Sequence, residues 1–115
     1  MKKNVTLDIN HSEKKRVEYF LNSVNADLEQ IPFDAQELSD ANDIIAGFKF
    51  KEKGQPTFVI VIFATSYFQA NGIGKANSFK GPNLNWTVNG DILFIVESTD
   101  ERTSNQMLSV FAGKE

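Results

Sequence analysis

Two stretches of the chain, Phe58-Val59-Ile60-Val61-Ile62-Phe63-Ala64 and Ile92-Leu93-Phe94-Ile95-Val96, are apolar at every position. A strand with one wet face alternates apolar and polar residues, so both faces of these two strands need cover. Helices, a loop or a second copy of the chain would each supply it.

The rest of the pattern does alternate. Val5, Leu7 and Ile9 are spaced by Thr6 and Asp8, which predicts a short N-terminal strand ended by the turn Asn10-His11-Ser12. Val17, Phe20, Leu21, Val24 and Leu28 follow helical spacing, with Glu18, Asn22, Asn25 and Glu29 opposite. This predicts an amphipathic helix of about four turns that begins near Glu13 and is stopped by Pro32. Asp34 and Glu37 form a variant capping box for a shorter second helix, which carries Leu38 and Ala41 inward and ends by Asp43.

From Ile44 the period changes to two. Ala46, Phe48 and Phe50 share one side and Lys49 and Lys51 the other, the mark of a half-buried strand. Lys53-Gly54-Gln55-Pro56 turns it back into the apolar strand 57–64 as an antiparallel hairpin. Leu84, Trp86 and Val88 then alternate with Asn85 and Thr87, and Asn89-Gly90 is a favoured two-residue turn into strand 91–97. Ser98 and Glu101 predict a capping box for a last helix that turns Met107, Leu108 and Phe111 inward and closes at Gly113. Between the hairpins, Gly72, Gly74, Gly81 and Pro82 predict an irregular loop over 69–83, pinned on the sheet by Ile73 and Phe79.

The resulting order, β-α-α-β-β-loop-β-β-α, is a single α+β domain over 1–115 with a largely antiparallel sheet of about five strands. The two apolar strands belong at its centre, their alternating partners outside them, and the N-terminal strand at an edge.

Composition adds a few constraints. With 115 residues and 41% hydrophobic content the chain buries a real core. Ten phenylalanines against two tyrosines and one tryptophan put large rings without polar handles inside it or at an interface. A net charge of −3 argues against nucleic acid or an anionic membrane as the main partner. The absence of cysteine excludes disulfides and thiolate chemistry. Polar residues follow Met1-Lys2-Lys3 where a signal peptide needs an apolar run, and no stretch has the length of a membrane span, so the expected setting is cytoplasmic.

No residue pattern amounts to a catalytic, cofactor or metal signature. Gly72-Ile73-Gly74-Lys75 lacks the first glycine and the final Ser or Thr of a phosphate loop, having Gln69 and Ala76 there. The 85–96 segment lacks the closing glutamate of a calcium loop. Glu97, Asp100 and Glu101 are read as helix-capping acids, and His11 as a turn residue. Gly47-Phe48-Lys49-Phe50-Lys51 has the aromatic spacing of RNA-binding sheets but places lysines where that motif has a small and an apolar residue.

Two functions remain. The first is a non-enzymatic binding or regulatory module, homodimeric, whose sheet or helix face packs against a partner, with no cofactor. The second is a small-molecule carrier or enzyme with an apolar pocket between the sheet and loop 69–83. There Phe68, Phe79 and Trp86 form walls, and Asn71, Lys75 and Lys80 supply polar contacts to a ligand or partner.

Overall fold

The computed structural model describes residues 4–38, 44–78 and 80–113. Five antiparallel strands form one sheet: β1 (Leu28–Ile31), β2 (Ile44–Glu52), β3 (Phe58–Ala64), β4 (Leu84–Asn89) and β5 (Ile92–Glu97), in the spatial order β1-β2-β3-β5-β4. Three helices complete the fold: α1 (Lys14–Ser23), α2 (Tyr67–Asn77) and α3 (Glu101–Phe111). The two all-apolar strands, β3 and β5, are neighbours at the centre with their hairpin partners outside, as the burial pattern requires.

Each face of the sheet has its own core. On one, Phe50, Val61, Phe63, Phe94 and Val96 meet Val17 and Leu21 of α1, Met107 and Phe111 of α3, and Val5 and Leu7 of the N-terminal segment. The Phe94 and Phe111 rings stack at 4.6 Å, a contact worth about 1 kcal/mol beyond their burial. On the other, Ile60, Ile62, Leu93 and Ile95 meet Ala70 and Ile73 of α2, with Phe33 and Leu38 beside them. The second face of the central strands is therefore covered by α2 of the same chain. Those strands do not themselves call for a second subunit.

Several sequence expectations are corrected. The segment 69–83 is not an irregular loop, because residues 67–77 form α2. Ser66 caps it by accepting a hydrogen bond from the Gln69 N–H. Its glycines cost helix propensity, but Gly74 lies against the Trp86 ring and a Cβ there would overlap it. The predicted 13–31 helix ends at Ser23, and Leu28–Ile31 form the edge strand β1 instead. The pattern there was ambiguous: Val24 and Leu28 fit a helix, yet Val24, Ala26 and Leu28 are all buried at the period of a strand. Pairing of Leu28 through Ile31 with Glu52 through Lys49 decides it.

The N-terminal segment is not a strand of the sheet, although Val5 and Leu7 are buried. Side chains of α1 take the place of a ladder: the Val5 N–H donates to Asn22 Oδ1 at 2.6 Å, and the Leu7 N–H to Glu18 Oε2 at 2.6 Å. The second helix shrinks to a single 3-10 turn, Ala35–Glu37, capped by Asp34, while Ala41 and Asp43 lie outside the described residues. The last helix is capped by Asp100 rather than Ser98. Ser98 is buried and shares a hydrogen bond with Thr57. The β4–β5 loop is Gly90-Asp91, one residue later than expected, with Gly90 at φ +64° and Asn89 closing the ladder opposite Ile92.

Candidate functional site

Side chains on the α2 face of the sheet line up in rows across the strands. One row runs Ile31, Lys49, Ile60, Ile95, Trp86, and the next Glu29, Lys51, Phe58, Glu97, Leu84. The apolar centre of each row comes from β3 and β5, whereas the charges come from β1, from β2 and from the end of β5. A third row contains Gly47, Ile62, Leu93 and Val88. The middle of this row is sealed, with Ile62 and Leu93 fully buried beside Ala70 and Ile73 of α2.

Beyond the C-terminal end of α2 the cover stops, leaving a groove of about 250 Å³. Its floor is Ile60, Ile95 and Leu84. The 80–83 segment with Asn77 forms one wall, and Glu37 with Leu38 the other. Lys80 Nζ donates to the Glu37 carbonyl and ties the two walls together. Asn77 is buried, and its side-chain amide donates to the Ile73 carbonyl at 2.8 Å, which fixes the end of α2 that borders the groove.

Lys49, Lys80, Glu37 and Glu97 surround the floor, and none of the four is in an ion pair with another described residue. Lys49 Nζ lies 5.1 Å from the centroid of the Phe58 ring, a cation–π contact that leaves its hydrogen-bonding capacity in place. The groove therefore combines an apolar base with two cations and two anions at its rim, Lys80 among them holding the Glu37 carbonyl. Among the described residues that line it there is no histidine, hydroxyl nucleophile or carboxylate pair of a hydrolytic site.

Of the residues predicted to make contacts, Lys80 is in this groove. Trp86 sits on the same sheet face opposite Ile95, half-buried beneath Gly74, and shapes the sheet beside the groove without lining it. Phe68, Asn71 and Lys75 belong to α2, at spacings that place them away from its buried side of Ala70, Ile73, Gly74 and Asn77. Phe68 is 78% exposed and Lys75 is also exposed, so a helix where a loop was expected turns these residues to solvent. Phe79 lies outside the described residues.

The groove residues that sequence reasoning missed are Glu37, Leu38, Lys49, Ile60, Gly81, Pro82, Asn83, Leu84, Ile95 and Glu97. Only strand register brings Lys49 beside Ile60 and Glu97 beside Phe58 and Leu84, and register is not visible in a single alternating run.

The other candidate motifs are structural. Gly72 to Lys75 lie within α2, so they cannot cradle a phosphate ahead of a helix N-terminus. Phe48 and Phe50 are buried in the core beneath α1 and α3 and offer no stacking surface to bases. Asp100 accepts from the Thr103 hydroxyl and from the Thr103 and Arg102 N–H groups, and these bonds, the Thr103 hydroxyl foremost, hold its carboxyl below the usual aspartate range. His11 packs its ring edge on Phe63 at 4.9 Å and accepts the Glu13 N–H at Nδ1. Among the described residues, no group of three or more His, Asp or Glu side chains is placed to hold a metal ion, and no helix is long and apolar enough to cross a membrane.

A larger depression of about 550 Å³ lies between the N-terminal segment and β1. Apart from Val5, Leu28 and Phe50 its lining is polar (Asn4, Thr6, Asp27, Glu29, Gln30 and Lys53), so it has little apolar surface with which to anchor a ligand. The smaller groove has the better chemistry. No protein family, curated protein or solved structure matches the chain.

Proposed function

We propose that this protein is a non-enzymatic binding module whose groove on the α2 face takes an apolar side chain of a partner protein. The observation that carries this reading is the groove itself: Ile60, Leu84 and Ile95 at its base, with Lys49, Lys80, Glu37 and Glu97 around it, none of them in an ion pair among the described residues. An apolar anchor gains from leaving water, while charges of both signs suit the main-chain dipoles and charged neighbours that flank an anchor residue in a polypeptide. Size favours a side chain over a larger ligand. At about 250 Å³ the space falls below the roughly 300–1,000 Å³ of sites for drug-sized molecules.

Titration of the 15N-labelled protein with the capped tripeptide acetyl-Ala-Leu-Ala-amide, followed by amide chemical shifts, tests the reading. Saturable shifts at Lys49, Ile60, Leu84 and Ile95 are expected at millimolar peptide, and acetyl-Ala-Ala-Ala-amide is expected to bind more weakly. Equal shifts with both peptides, or shifts confined to other surfaces, would refute it.

A further inference from the structure

We infer that the outer edge of β4 pairs with the same edge of a second copy of this chain, in an antiparallel register centred on Trp86, to make one continuous sheet across a two-fold axis. The argument starts from backbone directions. The Ser98 N–H donates to the Asn83 carbonyl, and the β4–β5 register continues that alternation, so Asn85, Thr87 and Asn89 turn their amide groups toward β5. Leu84, Trp86 and Val88 then point theirs outward. Apart from a long 3.4 Å bond from the Leu84 N–H to the Gly81 carbonyl, no described residue satisfies these groups.

Edges are normally guarded by charge, proline or shortness. The opposite edge follows that rule: β1 has four residues, is followed by Pro32, and turns Leu28 and Gln30 outward. A two-fold pairing of β1 that used both residues would set Glu29 against Glu29 of the copy, which is repulsive. By contrast β4 reads Leu-Asn-Trp-Thr-Val-Asn over six residues, without charge or proline.

Symmetry then selects one register. Centring on Trp86 lets Trp86 bond its own copy and Leu84 bond Val88 of the copy on both sides, which uses every outward group of β4. Centring on Asn85 or Thr87 leaves one outward residue of each strand without a β4 partner. In the Trp86 register, Leu84 faces Val88 and Trp86 faces Trp86 on the α2 side, while Asn85 faces Thr87 on the α3 side. Apolar thus meets apolar and polar meets polar, with no like charges opposed. This self-complementarity is the reason for naming a second copy over an unrelated strand, and Leu84 is the one β4 residue it shares with the groove lining.

The absence of cysteine makes the register directly testable. Asn85→Cys and Thr87→Cys are prepared separately, then mixed under mild oxidation. Disulfides form readily between residues facing each other at a non-hydrogen-bonded antiparallel site, because their Cβ atoms are close. The expected result is a cross-linked species of twice 12.9 kDa in the mixture, with little in either variant alone.

By analytical ultracentrifugation the unmodified protein is expected to reach the dimer mass. In Asn85→Lys/Thr87→Lys, which opposes two pairs of lysines, the dissociation constant is expected to rise about tenfold. Asn85→Glu/Thr87→Lys places opposite charges across the same pairs and is expected to restore association. A strictly monomeric protein at millimolar concentration, a dimer indifferent to the lysine pair, or cross-linking as strong in one single variant as in the mixture would each overturn the inference.

Discussion

Two glycines two positions apart on α2, Gly72 and Gly74, show how differently one residue type is used. Gly72 is exposed, with no atom near the place a Cβ would occupy, whereas a Cβ on Gly74 would overlap the Trp86 ring. Gly72→Ala is therefore expected to stabilise the protein by up to about 1 kcal/mol, the ordinary gain of alanine over glycine within a helix. Gly74→Ala gains the same propensity yet is expected to destabilise by about 1–3 kcal/mol, because helix and sheet must separate to admit the methyl group. Urea denaturation of both variants checks the pair, and equal effects would remove the stated role of Gly74. In the sequence Gly72 and Gly74 read, with Gly81 and Pro82, as marks of an irregular loop. That one of them exists for Trp86, twelve residues on, became visible only when α2 met β4.

Asp100 gives a residue-scale prediction about pH. Its folded-state carboxyl titrates below the ordinary value of 3.8, chiefly because the ionised form accepts the Thr103 hydroxyl. A depressed carboxylate stabilises the fold fully above its unfolded value, and the contribution disappears as pH falls through the folded value. The melting temperature of Asp100→Ala is thus expected to lie below that of the unmodified protein at neutral pH, and the gap to narrow as pH is lowered past 3.8. A gap independent of pH would remove the charge from the explanation. The acids 97, 100 and 101 were recognisable as helix-start residues from sequence. The choice of Asp100 over Ser98 as the cap was not, since Ser98 is drawn into the sheet by Thr57.

At the scale of elements, the clearest departures from the sequence pattern lie where two readings share residues. Val24 and Leu28 satisfy both helical and strand spacing, and the partner strand β2 settles the choice. Val5, Leu7 and Ile9 carry a strand's alternation, but the main chain at Val5 and Leu7 is held by Asn22 and Glu18 instead of another strand. The Asn22 amide donates to the Val5 carbonyl at 3.0 Å as well as accepting the Val5 N–H, so one side chain replaces a strand partner. Asn22→Ala is expected to cost about 1–2 kcal/mol and to raise amide exchange at Val5 well above that of α1. Exchange at Val5 unchanged from the unmodified protein would contradict the role given to Asn22. The elements with unshared patterns, β2, β3, β4, β5 and α3, fall within a residue or two of where their periodicity placed them.

At the scale of the molecule, three layers are set by two strands that need cover on both sides. One face is closed by α1, α3 and the N-terminal segment, the other by α2 over only part of its area. The partial cover creates the groove, and the same helix accounts for Phe68, Asn71 and Lys75 turning away from it. Ile73 is the central anchor of that cover, fully buried against the sheet, so Ile73→Ala is expected to cost about 2–5 kcal/mol. A cost below 1 kcal/mol would mean that α2 contributes little to closing the face.

The account stands on α2 closing the second face of β3 and β5 from within the chain. Nuclear Overhauser spectra of an equimolar mixture of labelled and unlabelled protein test this most directly, since isotope filtering separates contacts within a chain from contacts between copies. The account predicts intrachain contacts from the Trp86 indole to the Gly74 α-protons and from the Ile73 methyls to Ile62 and Leu93, with helical carbon shifts over 67–77. Coil-like shifts over 67–77, or contacts to Ile62 and Leu93 that arise only between copies, would contradict it.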